Sequence, residues 1–224
     1  MSGRKIPLIT GEYYHIFNRG ITGQLTYLRK TDYKQKILCF SYYCFTKPPL
    51  KLSRLKEVSV EERRNIFNSL EKSKDKLVSI LAFVLMPNHF HLLVKQNMDN
   101  GISIFLNKIT NSYTRYFNIK YKRKGDLYQG VFKAVHVEND EQLLHLSRYI
   151  HLNPVASYVV KEKDFLDYPW TSLPDYLHLH SRQTFVNTNL IADHFTSVND
   201  YKKFTLDRVD YAKRLNEIKH LIQE

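Results

Sequence analysis

The amino-acid sequence predicts an α+β fold built on one antiparallel sheet, and three observations carry that expectation. Residues 77–96 (LVSILAFVLMPNHFHLLVKQ) hold two apolar runs separated by Met86-Pro87-Asn88, the pattern of two buried neighbouring strands. Residues 101–120 place Ile102, Phe105, Leu106, Ile109, Tyr113, Tyr116 and Phe117 at spacings of three and four, the stripe of an amphipathic helix. Shorter strand-like and helix-like segments alternate on either side of this pair.

In chain order, residues 1–10 form a short basic leader, and residues 12–18 (EYYHIFN) have strand character up to the turn signal Arg19-Gly20. Residues 31–45 read as a helix with Thr31 or Asp32 as N-cap and Tyr33, Ile37, Phe40 and Cys44 as its apolar stripe, stopped by Lys47-Pro48-Pro49. Residues 50–58 are a basic loop, and 59–73 a surface helix opened by the capping box Ser59/Glu62. After the two central strands and the 101–120 helix, residues 131–138 alternate like a strand. Residues 140–152 form a helix that Asn153-Pro154 should stop. The order is strand, helix, strand, strand, helix, strand, which predicts a ferredoxin-like antiparallel sheet with helices on one face. Residues 1–160 are expected to form this domain with an inserted helix within 50–76, and residues 161–224 a helical extension packed on it.

Composition narrows the partner. Lys and Arg total 34 against 22 Asp and Glu, a net charge of +12 that favours a polyanion, nucleic acid before membrane. The chain carries 16 tyrosines and 13 phenylalanines, enough for a core and for stacking on unpaired bases. Cys39 and Cys44 form neither a CxxC motif nor a disulfide scaffold and read as packing residues, which fits a reducing cytoplasm. No apolar run reaches membrane-spanning length, so no membrane partner is expected.

His89 and His91 share one face of a strand, with Phe90 on the other. Two imidazoles so placed can hold a divalent metal, or they are satisfied polar residues near a sheet edge. A second such pair, His178 and His180, follows Pro174-Asp175-Tyr176 and reads as surface or tail. Lys120, Lys122, Arg123 and Lys124 form a basic loop suited either to phosphate contact or to solvent, and Arg19 and Lys95 flank the sheet ends with the same two readings.

The segments YHIFNRG (14–20), VLMPNHFHLLV (84–94), SYTRYFN (112–118), GDLYQGVFKA (125–134) and YIHLNP (149–154) occur in that order. Together they resemble the REP-associated tyrosine transposases and their relatives, the HUH single-strand transposases, over residues 12–176. The resemblance implies the HUH endonuclease fold and a Mg²⁺- or Mn²⁺-dependent single-stranded DNA endonuclease and strand transferase. Its partner would be single-stranded or hairpin DNA, at the nucleoid, acting as a monomer or a homodimer. It places the catalytic tyrosine at Tyr149 and the metal at His89, His91 and Asn153. Tyr113 and Tyr116 follow the apolar stripe and are expected in the core, and His151 points away from Tyr149. Two other readings share these features: a non-catalytic nucleic-acid-binding relative of the same fold, and a replication-initiator or relaxase-type nickase.

Overall fold

The computed structural model describes residues 7–73, 75–179 and 184–213. Four strands, β1 (Tyr13–Arg19), β2 (Val78–Met86), β3 (His89–Gln96) and β4 (Lys133–Val137), form an antiparallel sheet in the order β2-β3-β1-β4. Pro87 and Asn88 make the two-residue connection between β2 and β3. Helix α1 (Lys30–Tyr43) and helix α3 (Gly101–Lys120) cover one face, over Tyr14, Ile16, Phe83, Phe90 and Leu92. This is the predicted ferredoxin-like arrangement.

The other face is covered in part by α4 (Asp140–Ala156), packed on β2 and β3, and by the C-terminal segment. That segment also closes the β2 edge: Leu85 N–H donates to Trp170 O (2.8 Å), Asn187 N–H to Ile80 O (2.8 Å) and the Tyr168 hydroxyl to Leu85 O (2.7 Å). A covered edge cannot recruit a foreign strand. A bulge at Leu81 shifts the register of β2, so that Val84 pairs with His91 and Met86 with His89. The histidines therefore sit beside apolar neighbours on a face that is buried along β2.

Three expectations are corrected. The N-terminus of α1 lies at Arg29, and Asp32 caps it by accepting from the backbone N–H groups of Leu28 and Arg29. Its most deeply buried positions within the helix are Asp32, Lys36, Cys39, Phe40 and Tyr42, with Tyr33 and Ile37 only partly buried and Cys44 buried as the C-cap, because a salt bridge and an aromatic cage allow two charged residues inside. Helix α4 continues through Pro154 to Ala156; the proline falls in the last turn, and burial of Pro154 and Val155 offsets the lost hydrogen bond. The inserted segment does hold a helix, α2 (Val60–Lys72), whose N-cap Ser59 accepts from Glu62 N–H. Three short helices, α5 (Leu173–Tyr176), α6 (Asn189–Ala192) and α7 (Val198–Leu206), follow in the C-terminal segment.

Candidate active site

Pairing of β1 with β3 sets Arg19 opposite His89, Phe17 opposite His91 and His15 opposite Leu93, all on the face that carries α4. The rings of His89 and His91 are 5.0 Å apart and nearly perpendicular. Each is held through Nδ1. That of His89 lies 2.7 Å from Asn88 Oδ1, and that of His91 lies 2.9 Å from His15 Nε2. Fixing one ring nitrogen orients the other, as in protein metal sites. Burial, and secondarily the Arg19 charge, lower His89 to about 4, so its imidazole is neutral at physiological pH as ligation requires. Burial lowers His15 to about 4 as well. The donor set fits a divalent cation in kind. Among the described residues no three His, Cys, Asp or Glu side chains converge as ligands.

Tyr149 meets this group from above. Its ring is edge-on to His91 and His15, with centroids at 5.7 and 5.9 Å, and it remains 42 % exposed. The helix that presents it is anchored from its buried side. His151, fully buried, makes hydrogen bonds of 2.8 Å to the Tyr201 hydroxyl and 2.8 Å to Ser172 Oγ, and Ser172 Oγ accepts from the Phe83 N–H of β2 at 2.9 Å. A neutral imidazole donates through one nitrogen and accepts through the other, and burial lowers His151 to about 3. Asn153 is buried one turn from Tyr149, its amide nitrogen donating to the Tyr149 carbonyl at 3.2 Å.

Tyr113 and Tyr116 donate their hydroxyls to Thr26 O (2.6 Å) and Asp32 Oδ1 (3.0 Å), on the opposite face of the sheet from His91. Of the basic residues, exposed Arg19 stands beside His89. Lys122, Arg123 and Lys124 line a shallow depression at the end of α3 together with Arg115. That segment is tied to the strand end by Gln129 N–H donating to Arg19 O at 2.8 Å. Lys120 departs from the role expected of it: its ammonium turns inward to Asp32 at 2.5 Å, with the Tyr116 hydroxyl at 2.9 Å, and is spent on the fold. His178 is exposed, and His180 lies outside the described residues. Sequence reasoning missed His15, because its proximity to His91 depends on a cross-strand register that no local pattern states.

Residues 51–153 match the model of the IS200-like transposase family. Among solved structures, a REP-associated tyrosine transposase bound to a REP hairpin has a similar fold, with a TM-score of 0.54 and 16 % identity over 84 % of this chain and 90 % of that one. No curated protein sequence matches. The resemblance read from the sequence is to proteins of the same kind: the family segment spans residues 51–153, and the REP-associated tyrosine transposase shares the fold.

Proposed function

We propose that this protein is a transposase that cuts and rejoins single-stranded DNA, with Tyr149 as nucleophile and hairpin DNA as its partner. The observation that carries the reading is the half-exposed Tyr149 ring set edge-on against His91, next to the His89/His91 pair. His89, His91 and Asn153 would hold Mg²⁺ or Mn²⁺, which when bound neutralises charge on the scissile phosphate. Arg19, opposite His89, adds a fixed positive charge at the same place. Tyr149 Oη gives up its proton as it attacks the phosphorus, the P–O3′ bond breaks, and the departing 3′ oxygen takes up a proton, so protons balance. The 5′-phosphotyrosine keeps the energy of the phosphodiester, so a 3′-OH of another strand can reverse the step without an external energy source.

The His151 hydrogen bonds hold Tyr149 over the site while leaving it accessible to a strand. Lys122, Arg123 and Lys124 supply phosphate contacts that do not depend on sequence. Residues 1–160 would form the catalytic unit and residues 161–224 its supporting extension, the protein acting at the nucleoid as a monomer or homodimer. Incubating the protein with end-labelled single-stranded hairpin DNA and Mg²⁺ or Mn²⁺ tests this. A labelled protein–DNA adduct on a denaturing gel, lost with chelator, is expected; no cleavage under any metal would refute it.

A further inference from the structure

A cleft of about 470 Å³ opens beside Tyr149. One stripe of α4, including His145, Arg148, Tyr149 and Asn153, forms one wall, and Arg208 and Tyr211 stand in the other. Tyr149 thus borders both the histidine group and this cleft. The volume lies at the lower end of small-molecule sites.

The lining carries two guanidinium groups and no carboxylate. Burial lowers the pKa of Arg148, and the neighbouring charge of Arg208 lowers it further, with Asp207 offsetting part of the repulsion. Arg148 is fixed by donating to Phe204 O at 3.2 Å, while its other nitrogen lies 2.5 Å from His145 Nδ1. Two like charges held together in a partly buried cleft suit an anion, and guanidinium groups suit phosphate in particular. Tyr211 is 56 % exposed, with the Arg208 guanidinium 5.8 Å from its ring centroid, and Leu152 and Ala156 add apolar lining.

We infer that this cleft is a nucleotide subsite for the first nucleotide on the 3′ side of the scissile bond, with Arg208 and Arg148 on its following phosphate and Tyr211 against its base. The assignment rests on the proposed role of Tyr149. The nucleotide joined to Tyr149 through its 5′ phosphate cannot leave the surroundings of that tyrosine, whereas the strand ending in 3′-OH can. The cleft is the cavity that Tyr149 itself lines.

The test compares adduct formation by wild type, Arg208→Gln and Tyr211→Ala on two oligonucleotides. One is unmodified, and the other carries an uncharged methylphosphonate at the phosphate following the first 3′-side nucleotide. The methylphosphonate should slow wild type about tenfold, as expected for one charge-assisted contact. Arg208→Gln should be slowed to a similar degree on the unmodified strand and be markedly less sensitive to the modification than wild type, Arg148 still facing the phosphate. Tyr211→Ala should be slowed on both strands, and on a third strand abasic at that nucleotide wild type should be slowed to the Tyr211→Ala rate while the variant is not slowed further. Melting temperatures check that each variant is folded. If wild type forms the adduct but Arg208→Gln stays as sensitive to the methylphosphonate as wild type, the subsite is wrong and the Tyr149 reading stands. If wild type forms no adduct on either strand, both fail together.

Discussion

Between His89 and His91 the chain turns Phe90 to the opposite face of the sheet, where its ring lies 4.6 Å from the ammonium of Lys36. Phe40, Tyr113 and Tyr128 complete a cage around that ammonium at 5.6, 5.1 and 4.7 Å, and the nitrogen has no hydrogen-bond partner. Burial lowers Lys36 from 10.5 to about 7, while the four rings favour its charged form and work the other way. With the folded value depressed, the unfolded chain binds the proton more tightly. Stability therefore rises as pH climbs from about 7 toward 10.5, and the penalty is complete below 7. Lys36→Met should raise the melting temperature at pH 7, by on the order of 1–3 kcal/mol of stability, and flatten that rise; denaturant titrations across this range check both. On the other face, His89→Ala and His91→Ala should each abolish cleavage and leave hairpin binding within a few fold of wild type, since Arg19, Lys122, Arg123 and Lys124 keep their charges. Parallel gel-shift and cleavage assays separate the two effects, and wild-type cleavage in either variant would remove the metal assignment. Strand alternation made the shared face of His89 and His91 legible from the sequence, and the resemblance pointed to Tyr149; the structure brings the rings of His91 and Tyr149 to 5.7 Å. Lys120 and His15 were not, because an inward ion pair and a cross-strand contact are made by partners 88 and 76 positions away.

Helix α4 is the element on which the site depends. Its start is sharp, with Asn139 accepting from Gln142 N–H at 2.8 Å. Its orientation is set by the chain of hydrogen bonds from Phe83 through Ser172 and His151 to Tyr201. His151→Ala leaves two buried hydroxyl groups short of a partner and should cost about 1–3 kcal/mol. It should also slow adduct formation more than DNA binding, because Tyr149 loses its fixed approach; chemical denaturation and single-turnover cleavage measure the two. The helix was legible from periodicity, but its end was not. Pro154 reads locally as a stop, whereas burial of Pro154, Val155 and Ala156 carries one more turn. In helix α1 the apolar stripe was legible only in part for a related reason: Phe40 and Cys44 are buried, but the inner face also holds Asp32 and Lys36, whose charges are matched by groups on α3 and β3.

At the scale of the molecule, the alternation of strands and helices fixed the ferredoxin-like core, and the segment after residue 160 then supplied what periodicity could not reveal, a cover for the β2 edge and the second face. No helix among the described residues is long and apolar enough to cross a membrane. The +12 net charge predicts that affinity for single-stranded hairpin DNA falls steeply with salt. The log–log slope should be about −0.7 per phosphate contacted, and a fully paired duplex of the same sequence should bind more weakly. Salt-dependent fluorescence anisotropy checks this, and a flat salt response or equal duplex affinity would count against a phosphate-led interface.

The most direct measurement is of the covalent bond itself. Wild type, Tyr149→Phe and Tyr116→Phe are incubated with labelled single-stranded hairpin DNA and Mn²⁺, and the adduct is resolved on a denaturing gel and mapped by peptide mass. Tyr149→Phe deletes one oxygen from a ring that already stands half in solvent, so the fold should be unchanged. An adduct is expected on the peptide containing Tyr149 in wild type and Tyr116→Phe, and none in Tyr149→Phe. An adduct that persists in Tyr149→Phe, or that maps to another tyrosine, would contradict the assignment of Tyr149.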